Sequence, residues 1–132
     1  MTKKNKILVT GGSGFIGSTL VDLLINEGHS VIVIDDLSTG LSSNHNKSAT
    51  YINQDLCRYI DHPEEIITVL QEHNIDTVYH LAASADVFLS VNNPEKVYKI
   101  NVLASIALVR ACKKAGVKKL AFASTSAVFG EP

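Results

Sequence analysis

Apolar residues along this chain fall into two alternating rhythms. One is a set of short continuous runs: Ile7-Leu8-Val9, Val31 to Ile34 within Ser30–Asp35, Thr50-Tyr51-Ile52-Asn53, Asp76 to Leu81, and Lys119-Leu120-Ala121-Phe122-Ala123. Runs of this length, rich in β-branched residues and bounded by turn residues, predict strands, and the unbroken ones predict strands buried on both faces. Thr50–Asn53 is the weakest run and is expected near an edge. The other rhythm is helical. Phe15, Ile16, Leu20, Leu23 and Leu24 predict a helix carried by Ser18 to Ile25 and ending near Glu27-Gly28. Pro63-Glu64-Glu65 opens a second helix with Ile66, Ile67, Val69 and Leu70 on its apolar face. Asn93-Pro94-Glu95 opens a long third helix running through Val97, Ile100, Val102, Leu103, Ile106, Leu108, Val109 and Cys112 to Ala115-Gly116. Lys113 and Lys114 there face the negative end of its dipole. The segments 35–48, 82–85 and 124–130 are read as loops.

Strands alternating with helices predict right-handed crossovers and an α/β fold, a doubly wound parallel sheet with helices on both faces. Placing the first strand centrally gives the order 3-2-1-4-5, which leaves the fifth strand as an open edge. In such sheets ligands bind beyond the carboxyl ends of the strands, where the order reverses. The loops starting at Thr10, Asp35, Leu81 and Ser124 are therefore the expected site.

Composition narrows the partners rather than the fold. The 132 residues suit a single domain, 1–132, and 45% hydrophobic with 19% charged residues is ordinary globular composition. A net charge of −1 without long charge runs argues against gripping nucleic acid or an anionic membrane. Lys3, Lys4 and Lys6 precede apolar residues, but Thr10-Gly11-Gly12-Ser13 breaks the run before a signal-peptide core forms. No stretch is long enough to span a bilayer, so a cytoplasmic location is expected. Cys57 and Cys112 match no metal spacing and are read as buried or half-buried thiols. The histidines, His29, His45, His62, His73 and His80, form no ligand cluster, so no metal is expected.

The candidate chemistry begins at Gly11-Gly12-Ser13-Gly14-Phe15-Ile16-Gly17, between a predicted strand and a predicted helix. In that context Gly11 serves the tight turn, Gly14 lets a pyrophosphate approach the backbone, and Gly17 lets helix and sheet pack closely. The unpaired N–H groups of the first helical turn then face the anion. Asp35 follows at the ~20-residue spacing of this motif and suits the ribose hydroxyls of an adenosine, with Asp36 the competing candidate. A carboxylate there would repel a 2′-phosphate, favouring NAD over NADP. Asp55, beside Leu56, either accepts from an adenine amino group or merely makes a turn. Asn101 lies mid-helix on a segment leading toward the site, or simply faces solvent.

Thr10–Gly17, Asp35–Gly40, His80-Leu81-Ala82-Ala83 and Ser124–Gly130 together resemble the extended short-chain dehydrogenase/reductases. The branch they resemble is the NAD-dependent sugar-nucleotide epimerase/dehydratase family, UDP-glucose 4-epimerase-like, with a Rossmann-type sheet truncated here after the fifth strand. The resemblance implies that Gly11, Gly14, Phe15, Ile16 and Gly17 hold the pyrophosphate of NAD and Asp35 the adenine ribose. It implies that Asp55 and Leu56 flank the adenine and that Leu81, Ala82 and Ala83 line the cofactor's middle. Ser124 and Asn101 are carried as further cofactor-binding candidates. Thr125 would match the catalytic Ser/Thr that bonds the sugar hydroxyl being oxidised in a nucleotide-sugar substrate.

Two departures bear on the chemistry. Family dehydratases carry an acidic pair directly after that Ser/Thr, whereas this chain has Ser126 and Ala127, which favours an epimerase or reductase. Phe129 stands where many relatives have tyrosine. The family's base is the tyrosine of a Tyr-x-x-x-Lys motif. Here Tyr51, Tyr59, Tyr79 and Tyr98 are followed at that spacing by Asp55, Pro63, Ala83 and Val102. The expectation is the NAD-binding portion of a sugar-nucleotide epimerase, binding NAD without turnover and self-associating through its exposed fifth strand or long helix. The alternative is a non-catalytic dinucleotide-binding or interaction module. A methyltransferase is disfavoured by the spacing of the third glycine.

Overall fold

The computed structural model describes residues 4–130. Five strands, β1 (Lys6–Thr10), β2 (Ser30–Asp35), β3 (Thr50–Asn53), β4 (Thr77–His80) and β5 (Lys119–Phe122), form one sheet in the order β3-β2-β1-β4-β5. All four pairings are parallel, with Leu8 opposite both Ile32 and Val78, Ile34 opposite Ile52, and Tyr79 opposite Ala121. The order and the α/β class are those the alternation predicts.

Successive side chains of a strand point to opposite faces, so each central strand feeds two cores. Leu8, Ile32, Ile34 and Val78 pack on one face against Ile66 and Leu70 of α3 (Pro63–Glu72) and Ala104, Leu108 and Ala111 of α6 (Ala104–Ala115). Ile7, Val9, Val31 and Val33 pack on the other face against Val21 and Leu24 of α1 (Phe15–Asn26). This two-sided burial is why β1 and β2 read as unbroken apolar runs. β3 and β5 are the edges, and β5 has three of its four residues exposed.

The helices depart from the periodicity in three places. α1 begins at Phe15, because Gly14 caps it directly. The predicted long third helix is three segments: α5 (Pro94–Tyr98), a π-turn over Lys99–Leu103, and α6. Two short helices, α2 (Arg58–Asp61) and α4 (Val87–Asn92), fill segments where no helix is predicted. Neither is long enough to establish an apolar period. α4 is fixed instead by its cap, the Asp86 carboxylate accepting from the Leu89 N–H at 2.9 Å.

Candidate functional site

A cleft of about 590 Å³ opens beyond the carboxyl ends of β1, β2, β3 and β4. Gly11 and Gly14 form its first wall, and Asp35 and Asp36 its second. Asp55 and Leu56 close one end, and Leu81, Ala82 and Ala83 line the other side. Nine residues predicted from sequence are thus brought to one cavity. Phe15, Ile16, Gly17, Asn101, Ser124 and Thr125 do not line it.

The glycines divide by what surrounds them. A Cβ on Gly17 would lie 2.1 Å from the Gly11 carbonyl oxygen, so α1 can approach the turn only with glycine there. Gly11 has φ +72°, and a Cβ would meet the Ala82 nitrogen at 2.8 Å. Gly14 is different: φ is −78°, and the nearest neighbour of an added Cβ is 3.4 Å away. The protein itself does not require glycine at position 14. It lines the cleft, at the start of a helix whose cap has no side-chain hydrogen bond. First-turn N–H groups there have no intrahelical acceptor. That is a cradle of the kind a pyrophosphate fits.

Asp35 is tied to this turn. Its Oδ2 accepts from the Ser13 N–H at 2.9 Å and its Oδ1 from the Leu37 N–H at 2.9 Å. Asp36 is exposed, and its Oδ1 is taken by both the N–H and the hydroxyl of Ser38, at 2.9 and 2.6 Å. Of the two neighbours, Asp35 is therefore the one oriented by the glycine turn. Ser13 also anchors the following loop: its hydroxyl meets His45 Nε2 at 3.0 Å, and its carbonyl accepts from Asn44 Nδ2 and the Leu41 N–H. His45 in turn stacks on Tyr51 with ring centroids 3.7 Å apart. Asp55 accepts from the Cys57 N–H at 2.8 Å, so its carboxylate makes a turn while lining the cleft.

Asn101 lies in the π-turn and is half-buried, not solvent-facing. Its carboxamide holds Ser84 by both backbone groups, accepting from the N–H at 2.8 Å and donating to the carbonyl at 2.9 Å. Ser84 lines the cleft, so Asn101 bears on the site through that loop. Ser124 and Thr125 are exposed on the segment leaving β5, where the Thr125 hydroxyl accepts from the Ala127 N–H at 3.2 Å. Ser38, Thr39, Gly40 and Lys96, to which the sequence assigns no role, also line the cleft; among the described residues Lys96 is the only basic one on its wall. The turn composition of Ser38–Gly40 and the Asn93-Pro94 helix start are the signals that place them there.

Both cysteines are free and buried, and burial pushes each thiol up to about 11. Among the described residues, one group of potential metal ligands lies together, His62, Glu64 and Glu65 on and beside α3. None of these lines the cleft, and Glu65 is engaged by Arg58 at 2.6 Å. No helix of the described residues is long and apolar enough to cross a membrane.

Residues 7–132 match the model of the NAD dependent epimerase/dehydratase family. The chain belongs to this family. UDP-glucose 4-epimerase of Azospirillum brasilense is 37% identical over 127 residues, which are 96% of this chain but 35% of that protein. The crystal structure of UDP-glucose 4-epimerase from Thermotoga maritima with UDP-glucose aligns at a TM-score of 0.87 with 42% identity, over 96% of this chain and 40% of that one. The Thermus thermophilus UDP-glucose 4-epimerase complex with NAD aligns at 0.82 with 39% identity, over 91% and 37%. The chain therefore spans about two-fifths of the length of the epimerases it matches. The family is NAD-dependent, and the cleft sits where a Rossmann-type sheet places its dinucleotide.

Proposed function

We infer that this chain is the NAD-binding portion of a sugar-nucleotide epimerase of the UDP-glucose 4-epimerase type. The observation that carries the reading is Gly14: a glycine the protein's own packing does not need, opening onto a cleft that also holds an oriented Asp35. NAD, when bound, supplies reversible hydride transfer, which in a full-length enzyme would transiently oxidise C4 of a nucleotide-hexose. The first turn of α1, Phe15 to Gly17, would hold the paired phosphates on its backbone N–H groups, with Gly11 and Gly14 shaping the turn that lets them approach. Asp35 would accept from the adenine ribose hydroxyls, each charge-assisted bond contributing about 1.5–3 kcal/mol before desolvation. Asp55 and Leu56 would flank the adenine. Leu81 to Ala83 would line the cofactor's middle, with Asn101 bracing that loop from behind and Ser124 as a further candidate contact. Thr125 would bond the sugar hydroxyl, and Ser126 and Ala127, in place of an acidic pair, favour epimerisation over elimination. A cytoplasmic location belongs to the same reading.

The 132 residues contain no Tyr-x-x-x-Lys, and with it goes the base that takes the substrate's proton. The chain alone is therefore expected to bind NAD and turn nothing over. The same feature favours the second reading, a dinucleotide-binding module without catalysis. Calorimetry of the 132-residue chain checks both: NAD should bind and UDP-glucose should not. UDP-glucose binding, or conversion of UDP-glucose to UDP-galactose above background, would contradict the assignment.

A further inference from the structure

His80 ends β4 beneath the cleft, 2% exposed, and the proposed binding of NAD gives it no part. Its ring sits in a chain of polar contacts whose direction can be worked out. The Ser105 hydroxyl lies 2.8 Å from the Asn101 carbonyl oxygen, a separation that needs the serine proton between the two oxygens. Ser105 Oγ can then only accept from His80 Nε2, also 2.8 Å away. Nε2 therefore carries a proton. On the other side, Thr10 Oγ1 accepts the Ala82 N–H at 3.3 Å and lies 2.6 Å from His80 Nδ1. In a neutral ring Nδ1 is an acceptor, so the Thr10 hydroxyl donates to it. The neutral form is the one burial favours, since desolvation lowers the His80 pKa. The groups facing the ring are Thr10 from β1, Ser105 from α6 and the Phe122 ring from β5, whose centroid is 5.4 Å away.

The chain thus runs from the Ala82 N–H through Thr10, His80 and Ser105 to the Asn101 carbonyl, and the Asn101 carboxamide closes it on Ser84. Both ends of the 82–84 segment are held by one relay centred on the buried His80, and that segment lines the same cleft as Asp35. We propose that His80, as the neutral Nε2-protonated imidazole, is a positioning residue that fixes the 82–84 wall for the central part of the dinucleotide. This rests on the NAD reading above. It goes beyond it in making affinity for the cofactor's middle depend on a side chain that does not touch the cofactor.

The adenosine end, at Asp35 and Asp55, lies outside this relay, so AMP and NAD should respond differently. Calorimetric titrations of the 132-residue chain and of His80→Leu, His80→Gln and His80→Asn test this. In His80→Leu, which leaves Thr10 and Ser105 without their ring partners, Kd for NAD should rise about tenfold while that for AMP moves less than about twofold. His80→Asn keeps an acceptor for Thr10 and His80→Gln a donor for Ser105, so each should recover part of the loss. Equal weakening of AMP and NAD, or an unchanged NAD affinity, would overturn the proposal. Nitrogen-15 spectra of the wild-type ring give a second measurement that needs no variant to fold. A pyrrole-like Nε2 and a pyridine-like Nδ1 at neutral pH support the relay, and the opposite tautomer or an imidazolium overturns it. Failure of the wild-type chain to bind NAD would remove the underlying reading and the proposal together, which the wild-type titration alone reveals.

Discussion

Gly14 caps α1 and Gly17 lies in its first turn, and the two answer to different neighbours. An alanine methyl at Gly17 meets the Gly11 carbonyl at 2.1 Å, with no flexible side chain to give way. Gly17→Ala should therefore cost about 1–3 kcal/mol of stability or more. Gly14→Ala, with its nearest atom at 3.4 Å and φ −78°, should cost under about 1 kcal/mol. Urea midpoints of the two variants check this, and equal losses would contradict it. The spacing of these glycines and the close packing at Gly17 were legible in the sequence, but the particular atoms each one faces were not. Gly11 is crowded by Ala82, a residue far along the chain on the neighbouring strand's exit, and no local pattern contains that contact. In sequence, Asp35 is preferred over its neighbour Asp36 on spacing alone. The Ser13 N–H separates them by orienting one, while Ser38 occupies the other.

At the scale of elements, β4 carries the fold's buried histidine, and this has a consequence for stability against pH. An unfolded chain protonates its histidine near 6.5, whereas burial lowers the folded-state value. The folded state then binds fewer protons, so stability is fully present above 6.5 and is lost as pH falls below it. Comparing urea midpoints at about pH 7.5 and 5.5, the wild-type chain should lose more stability on acidification than His80→Asn does. Identical losses would show that His80 does not titrate in this way. The strands were legible because burial on both faces of a parallel sheet forces continuous β-branched runs. The π-turn at Lys99–Leu103 was not legible, since a single widened turn has no residue signature that separates it from ordinary helix. α2 and α4 escaped because helices this short are specified by caps and tertiary contacts.

Over the whole molecule, the order β3-β2-β1-β4-β5 puts the switch point between β1 and β4, and the cleft lies there. The same order leaves β5 an open edge, with Phe122 56% exposed. Val102 of the π-turn and Ile106 and Val109 of α6 add apolar exposure on the helix outside it. Open strand edges and contiguous apolar surface recruit other chains. The 132-residue chain should accordingly show concentration-dependent mass in sedimentation, and a clean monomer at high concentration would count against this.

The central claim is that a dinucleotide spans the cleft, phosphates on the α1 turn and ribose on Asp35. The most direct measurement titrates the wild-type chain, Gly14→Val and Asp35→Ala with NADH, following the cofactor's own fluorescence in a protein without tryptophan. With circular dichroism unchanged, both substitutions should raise Kd by at least about tenfold. Wild-type affinity in both folded variants would contradict the account.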